Sequence, residues 1–455
     1  MKNLTFSAKL ICFICFLPTL LTAQSLADKA DSLLSAYHKQ DLFSGTVIIA
    51  QSGKTLFEKS YGLADREAAV PNTSDTQYRI GSLTKPFTAM LIMQLVEKGK
   101  LNLQDPLSKY IPGFSKGDSV TIEQLLNHTS GIRSITSTNR YRNDRKSIKA
   151  EADVLDILRA EPFAFSPGSK WQYSNSNYML LSYIAETISG RPMRQLVSDF
   201  AGTQGMKSTG MDYDGRKAPR KAIGYEAGAI DDYIPLTDNN VTIISGAGGI
   251  YSTASDLLKL DRALYTKAIL SDAAKKRMFT PIKGDYGLGW ETGNYKGRAE
   301  LGHSGSIEGF KAMMLRYPES ETCIIFLSNY WNTPGAAICE SLKAIAFGED
   351  YKLPDARQFL TLTTDQLKAY EGDYSFKGAM VMHISADSGV LLSMIKGQPV
   401  VGFKAVSEIE FYNKSNDAVI RFKKDANGRV TSFQLLKGKQ VMDWERTSSQ
   451  FSEGK

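Results

Sequence analysis

Alternation of apolar and polar residues near the start of the chain predicts a β-hairpin, with strands at residues 45–50 and 53–62. A similar pattern returns between residues 287 and 329, where glycine and proline separate short apolar runs. These runs predict strands at residues 288–290, 310–315 and 323–327. Because helical patterns occupy the chain between the two regions, we expect a mixed α/β (α+β) domain whose terminal segments share one sheet.

The middle of the chain has apolar residues at spacings of three and four, the pattern of buried helices. One such helix is predicted at residues 84–98, and it starts close to Ser82. Pro86 restricts the backbone of the residue before it, so the first turn of this helix should be irregular. A second helical run at residues 176–187 is followed by Gly190, which should end it.

After Pro354 the pattern changes to short alternating runs separated by turn signals. The runs predict strands at Tyr374 and at residues 381–384, 390–394, 400–405, 408–412, 418–422, 430–436 and 441–444. Their spacing is typical of a barrel or half-barrel. We therefore expect a small all-β domain at residues 365–455, a linker at residues 351–364 and a larger domain at residues 24–350.

Composition supports packed globular domains and excludes several classes of protein. Of 455 residues, 42% are hydrophobic and 23% charged, which suits a sizeable core and excludes a disordered, collagen-like or multi-span membrane protein. The net charge of +7 comes from interspersed charged residues, not from basic blocks. A nucleic-acid partner is therefore not expected.

The first residues have the form of a secretory leader. Lys2 and Lys9 are followed by an apolar stretch at residues 10–21, and Ala23 offers a small residue for cleavage. The stretch is short for a transmembrane helix, so a retained anchor is the less favoured alternative. We expect residues 1–23 to be a signal peptide and the mature protein to be exported, periplasmic or secreted, with no membrane span.

Cleavage of this leader would leave two cysteines, Cys323 in a predicted buried strand and Cys339 in a predicted helix after Pro334. Two cysteines are too few for a disulfide scaffold. Because the sequence fixes no proximity between them, two buried thiols are favoured over a bridge.

Ser82 and Lys85 place a hydroxyl and an amine three residues apart, on one face of the predicted helix. Serine is a poor nucleophile unless a neighbour takes its proton, and a lysine whose pKa is lowered by burial can do so. The helix N-terminus adds a positive electrostatic end beneath the nucleophile. Taken alone, the pair also fits an exposed surface of no catalytic role.

Two further motifs place polar side chains next to the start of a predicted helix or strand. Tyr173 and Asn175 precede a helix, where a phenol and a carboxamide can face one cleft, or serve only as an aromatic anchor and a helix cap. His303 lies in a glycine-rich segment at the start of a predicted strand, where a lone histidine is usually structural. Gly305 there allows close backbone approach to a ligand, which the N–H of Ser306 could face.

Together these three motifs, in this order and spacing, resemble the active-site motifs of the serine β-lactamase and D,D-peptidase superfamily. The branch in question contains class C β-lactamases, D-alanyl-D-alanine carboxypeptidases and related esterases. The resemblance covers residues 26–348. Supporting matches lie at residues 125–132, 247–256, 286–290 and 302–310.

The resemblance implies that Ser82 is the acylated nucleophile and that Lys85 and Tyr173 share the general-base task. It implies substrate binding by Asn175 and by a third motif, with backbone N–H groups of Ser82 and Ser306 as the oxyanion hole. That third motif consists of His303, Ser304 and Gly305. His303 stands where β-lactamases usually carry lysine, so its binding of a substrate carboxylate should weaken above the histidine pKa.

The implied fold is an antiparallel sheet flanked by helices, with an all-helical subdomain and a cleft between them. The C-terminal domain resembles the lipocalin-like appendages of such hydrolases. The spacing of His38, His128 and His383 does not suit a metal site, and no cofactor motif is present in the sequence. His128 is expected to be a structural histidine near a turn.

The leading hypothesis is therefore an exported serine hydrolase acting through an acyl-enzyme, most like a D-alanyl-D-alanine carboxypeptidase or a broader D-amino-acid peptidase. An esterase on the same machinery comes second and a β-lactamase third. A non-catalytic penicillin-binding or glycan-binding protein is the alternative from a different class. The expected partner is a peptide or small-molecule substrate, and the sequence does not define the oligomeric state.

Overall fold

The computed structural model describes residues 24–144, 148, 150–212, 220–229, 232–236, 242–355 and 357–447. The predicted leader at residues 1–23 lies outside the described residues, as does much of the loop region around residues 213–240. Helices α1–α12 of the described chain span Leu26–Lys39, Thr84–Glu97, Ile122–Leu126, Asn139–Asp144, Glu151–Ala160, Asn175–Ser189, Met193–Thr203, Ser245–Gly248, Ala254–Leu264, Asp272–Phe279, Gly335–Ala346 and Thr364–Lys368.

Strands are concentrated at the two ends of the larger domain and in the C-terminal domain. Strands β1–β13 span Gly45–Gln51, Lys54–Tyr61, Leu63–Asp65, Val70–Pro71, Tyr78–Arg79, Gly210–Met211, Tyr225–Ala227, Tyr233–Pro235, Ile250–Ser252, Glu291–Tyr295, Arg298–Ile307, Phe310–Tyr317 and Thr322–Ser328. Strands β14–β21 span Gly372–Phe376, Met380–Asp387, Val390–Ile395, Val401–Ala405, Glu410–Asn413, Ala418–Lys424, Val430–Lys437 and Gln440–Thr447.

A six-stranded antiparallel sheet in the order β10-β11-β12-β13-β1-β2 forms the centre of the larger domain. Its strands β1 and β13 are apolar at almost every position because both faces are covered. Ile48 and Ile325 face one hydrophobic core, and Val47 and Ile324 face a second core beneath α1 and α11. The prediction that the terminal segments share one sheet is confirmed.

Helices from the middle of the chain form the other half of this domain. α2 lies at their centre, buried from Thr84 to Met93, and packs against α6 and α8. Such a helix has apolar residues on all sides because neighbours surround it. Its N-terminus points toward the sheet, which brings Ser82 beside strand β11.

Two local predictions were wrong. Residues 288–290 are not a strand: Gly289 has a φ of +85°, and a Cβ there would lie 2.4 Å from the Cβ of Ala89. The segment is instead a turn packed on α2, a geometry that glycine permits. The motif with His303 lies in the second half of β11 and not at its start, because the strand begins at Arg298.

The C-terminal domain is a closed eight-stranded antiparallel barrel formed by β14–β21. The predicted strands of this domain are confirmed. Aromatic side chains fill the interior, among them Tyr374, Phe422, Phe433 and Trp444. Eight strands leave an interior just wide enough for packed side chains, so this barrel has a solid core.

Cys323 and Cys339 are free, buried thiols, as expected. They belong to the cores on opposite faces of the central sheet, which explains why they do not pair. Within the described residues, the helices are too short or too polar to cross a membrane.

Candidate active site

Ser82 lies in a short 3-10 turn, Gly81–Leu83, that leads directly into α2. The irregular helix start expected from Pro86 is thus confirmed. Gly81 has a φ of +51°, in the left-handed region that favours glycine. The first N–H groups of a helix have no partner within it, so the N–H of Ser82 is available to a ligand. The positive end of the helix dipole lies at the same place.

Lys85 is fully buried behind the nucleophile and has three polar neighbours. Its Nζ lies 3.0 Å from Ser82 Oγ and 2.8 Å from both Asn175 Oδ1 and the carbonyl oxygen of Ala247. Burial lowers the pKa of Lys85 well below its usual range, and the Glu291 carboxylate opposes this shift. A neutral amine in this position would donate to the two carbonyl oxygens and accept the serine proton.

Tyr173 approaches the nucleophile from the other side. Its hydroxyl donates a hydrogen bond of 2.8 Å to Ser82 Oγ. Burial raises the pKa of Tyr173, which keeps the phenol protonated near neutral pH. Ser82 Oγ therefore has a hydrogen-bond donor in Tyr173 and a potential proton acceptor in Lys85.

His128 supports the loop that carries Tyr173. The two rings pack with their centroids 4.5 Å apart. His128 Nδ1 lies 3.2 Å from both the backbone N of Ser174 and Asn177 Nδ2, so this nitrogen is the acceptor. Burial lowers the pKa of His128 well below its usual range. The buried, neutral ring agrees with the structural role expected from the sequence.

Asn175 is the first residue of α6, so its side chain projects from the start of a helix toward α2. Its Oδ1 accepts a hydrogen bond from Lys85, and its Nδ2 donates one of 3.1 Å to Thr136 Oγ1. These two bonds fix the orientation of the amide. Asn175 also lines the cleft beside Ser82, where a substrate could contact it.

Strand β11 runs past the nucleophile turn at very close range. A Cβ on Gly305 would lie 1.9 Å from the carbonyl oxygen of Ile80, and a Cβ on Gly81 would lie 2.9 Å from the backbone N of Ser306. Gly305 therefore permits an approach to the protein's own backbone, whereas the sequence suggested an approach to a ligand. The contact brings the backbone N–H of Ser306 next to Ser82.

The direction of the Ser306 N–H follows from strand geometry. The N–H of Ser304 donates to Glu291 Oε2 at 3.3 Å, on the side of β11 away from β12. N–H groups two residues apart on a strand point the same way. The N–H of Ser306 therefore points to the same open edge, toward the region that the Ser82 N–H also faces.

His303 does not reach the cleft as the sequence suggested. Its side chain is 1% exposed, with Nε2 lying 2.9 Å from the Tyr286 hydroxyl and Nδ1 lying 2.6 Å from the carbonyl oxygen of Ser304. Burial lowers the pKa of His303, and the nearby Glu291 carboxylate opposes the shift. With both nitrogens engaged inside the protein, the ring has no free N–H for a substrate carboxylate.

Glu291 on β10 is a carboxylate that the sequence did not single out. Its Oε1 accepts a hydrogen bond of 3.0 Å from Ser304 Oγ, and it lies 3.7 Å from His303 Nδ1. It is also the charge that opposes the lowered pKa of Lys85. Nothing in the local sequence marks it, because its position depends on the pairing of β10 with β11.

A cleft of about 300 Å³ opens beside Ser82. It brings together Ser82, Asn175 and Ser306 from three distant parts of the chain. The other lining residues include several that sequence reasoning missed, namely Thr136, Tyr141, Ile244, Ile307, Glu308 and Trp331. Ile307 and Glu308 lie within the matched segment 302–310 but were given no role, and the positions of the other four depend on tertiary packing. Gly81, Ala247 and Gly248 also line the cleft and lie within or beside the identified motifs.

Comparison with known proteins agrees with this geometry. A protein-family model described as Beta-lactamase matches residues 30–346. The chain is also similar to penicillin-binding protein 4* of Bacillus subtilis strain 168, with 30% identity over 422 residues. That alignment covers 86% of this chain and 92% of the Bacillus protein.

Solved structures extend the similarity to the fold. The structure of an octameric penicillin-binding protein homologue from Pyrococcus abyssi covers 92% of this chain and 99% of its own, with a TM-score of 0.65 and 25% identity. A D-amino acid amidase from Ochrobactrum anthropi SV3 shares the fold over 71% of this chain and 99% of its own, with a TM-score of 0.63 and 21% identity. The match of the family model to most of the larger domain, together with the Bacillus relative, shows that the chain belongs to the beta-lactamase family of serine hydrolases.

Proposed function

We propose that the protein hydrolyses peptides through an acyl-enzyme on Ser82, most like a D-alanyl-D-alanine carboxypeptidase or a broader D-amino-acid peptidase. The observation that carries this proposal is the position of Ser82 Oγ, 3.0 Å from Lys85 Nζ and 2.8 Å from the Tyr173 hydroxyl. A nucleophile in contact with both a base and an acid is what acyl transfer to serine requires. The name of the Bacillus relative, a penicillin-binding protein, supports the same class.

The contacts of Ser82 suggest a role for each neighbouring group in the reaction. Neutral Lys85 takes the proton of Ser82 as Oγ attacks the carbonyl carbon. The carbonyl oxygen accepts hydrogen bonds from the N–H groups of Ser82 and Ser306 as it gains charge. Tyr173 then donates its proton to the departing nitrogen. Water attacks the ester on Ser82 and gives a proton to the Tyr173 phenolate, and Lys85 returns its proton to Ser82 Oγ as the acid departs. If residues 1–23 are a signal peptide, as predicted, the protein is exported and this reaction takes place outside the cytoplasm.

Removal of the nucleophilic oxygen tests this proposal. Ser82→Ala should abolish turnover and leave the fold intact, because alanine suits a helix start and only the hydroxyl is lost. Intact-mass spectrometry after treatment with penicillin or a fluorophosphonate should show an adduct on the parent and none on the variant. Ser32→Ala, at an exposed position of α1, is the control and should keep the adduct.

The substrate is identified by a panel of D-alanyl-D-alanine peptides, short acyl esters and cephalosporins. Turnover of the peptides supports the proposal. Turnover restricted to esters would make the protein an esterase, and efficient turnover of cephalosporins would make it a β-lactamase. An adduct on a different serine, or no adduct with any reagent, would contradict the assignment of Ser82.

A further inference from the structure

The position of Tyr173 relative to the cleft beside Ser82 bears on which part of a substrate the cleft would hold. Tyr173, the proposed proton donor for the leaving group, donates a hydrogen bond to Ser82 Oγ and is not among the residues that line the cleft. The leaving group must reach Tyr173, and the carbonyl oxygen must lie between the N–H groups of Ser82 and Ser306. The remaining substituent of the carbonyl carbon, the acyl part of the substrate, is then directed into the cleft.

A lysine ammonium lies next to two residues that line this cleft. Lys311 on β12 lies directly opposite Ser306 on β11 in the antiparallel register. Its Nζ donates a hydrogen bond of 2.8 Å to Ser306 Oγ and lies 3.8 Å from the centre of the Trp331 ring. Ser306 and Trp331 both line the cleft, so the ammonium contacts two parts of its wall.

The ammonium of Lys311 has no anionic partner among the described residues. The contacts of its Nζ are a neutral hydroxyl and an aromatic face, and among the described residues it forms no salt bridge. Glu308 also lines the cleft and already makes an interaction of its own. Partial burial lowers the pKa of Lys311, which reflects the cost of keeping an ammonium there without an anion.

We propose that this cleft is the acyl subsite and that Lys311 selects acyl donors carrying a carboxylate on the acyl side of the scissile bond. The inference rests on the proposed acyl-enzyme function and adds a substrate class to it. This carboxylate differs from the C-terminal one of a D-alanyl-D-alanine peptide, which departs with the leaving amino acid. It would belong to an acidic residue or acyl chain that stays attached to Ser82.

Two esters of the same phenol test this selection directly. 4-Nitrophenyl hexanoate and the 4-nitrophenyl monoester of adipic acid have acyl chains of equal length, and only the second ends in a carboxylate. The ratio of their kcat/KM values measures selection for the carboxylate. Effects on the chemical step are common to both esters and cancel in this ratio. Lys311→Met removes the charge at similar side-chain length, Lys311→Arg keeps the charge, and Lys54→Met removes an exposed lysine of the same sheet.

Lys311→Met should lower the adipate-to-hexanoate ratio by about tenfold or more, since hydrogen bonds to charged groups are worth at least that in binding. Lys311→Arg should keep most of the ratio, and Lys54→Met should leave it unchanged. Added salt should reduce the ratio in the parent and have little effect on it in Lys311→Met.

Two outcomes separate this inference from the proposed function. Equal losses for both esters in Lys311→Met would mean that the lysine only supports strand β11, and the selection would be overturned while the acyl-enzyme proposal stands. A parent that cleaves neither ester and gives no adduct on Ser82 would overturn both.

Discussion

Lys85 is the residue at which stability and function conflict most directly. An amine with no exposed surface must lose its proton or bury its charge, and either costs free energy in the folded state. Three polar contacts recover part of this cost. The same burial favours a neutral amine beside Ser82, which is the form that can accept the serine proton. The loss of folding free energy at Lys85 therefore accompanies its proposed role as a base.

Replacement of Lys85 by methionine should separate these two effects. We expect turnover to fall by on the order of 10² or more, because general-base assistance is lost. Burial holds the pKa of Lys85 below its unfolded value of 10.5. The buried amine therefore destabilises the folded parent most at pH values below the folded pKa, and this destabilisation vanishes above pH 10.5. The free energy of unfolding of the variant minus that of the parent should therefore decrease as pH rises toward 10.5.

Chemical unfolding at pH 7, 8.5 and 10 measures this difference. Its slope can reach about 1.4 kcal/mol per pH unit within the window. Lys54→Met is the control for the loss of an exposed amine from the same domain. A difference that does not vary with pH would contradict a lowered pKa for Lys85.

At the scale of elements, the active site depends on the contact between strand β11 and the turn that carries Ser82. Gly305→Ala should disrupt it, because the new Cβ would lie 1.9 Å from the Ile80 carbonyl oxygen, a backbone atom that cannot rotate away. We expect a loss of about 1–3 kcal/mol in unfolding free energy, as overpacking produces, and a large loss of acylation rate. Thermal unfolding and penicillin labelling measure the two effects.

Gly293→Ala on the neighbouring strand β10 is the matched control. A Cβ there would find its nearest atoms at 3.9 Å, an ordinary contact distance. This variant should keep both stability and labelling close to those of the parent. Normal labelling of Gly305→Ala would show that the strand can move without displacing the N–H of Ser306.

Elements with a regular hydrophobic period could be predicted from the sequence. The barrel strands and helix α2 were found because their patterns are local and repeat along the chain. Residues 288–290 were misassigned because a short apolar run around a glycine fits a strand and a buried turn equally well. A run of three residues contains too little periodicity to distinguish them.

The candidate site was predictable to the extent that its residues lie in local motifs. Ser82, Lys85, Tyr173 and Asn175 were named from spacing. In the structure hydrogen bonds join Tyr173 to Ser82, Ser82 to Lys85 and Lys85 to Asn175. Burial and cross-strand register were not predictable, since both depend on which elements meet. His303 is therefore more enclosed than expected, and the contact between Ser306 and Lys311 was not foreseen.

At the scale of the whole molecule, the larger domain and the barrel have separate hydrophobic cores. Contacts between them include Gly402, where an added Cβ would lie 1.6 Å from the carbonyl oxygen of Ala229. They also include Lys414, whose Nζ lies 5.1 Å from the centre of the Tyr233 ring. The residues proposed for the reaction all precede the barrel. The boundaries at residues 350 and 365 stay a prediction, because Tyr351 packs against a core of the larger domain and Leu362 belongs to the barrel core.

Truncation tests whether the larger domain is independent. Ending the chain after residue 355 should leave a folded core that still labels with penicillin at Ser82, because its two cores remain complete. Circular dichroism and labelling measure fold and acylation, and Ser82→Ala in the truncated chain is the control. A truncated chain that is unfolded would indicate one interlocked unit.

The contact between Gly305 and Ile80 also has a consequence for biosynthesis. It joins residues more than two hundred positions apart, and ribosomes add roughly 5–20 residues per second, so the delay between them is on the order of 10 to 40 s. During that interval Ser82 and Lys85 already exist, but Ser306 has not yet been made and no strand lies beside the turn. A nascent chain therefore has no assembled nucleophile, and its reactivity begins only after nearly the whole larger domain has been translated.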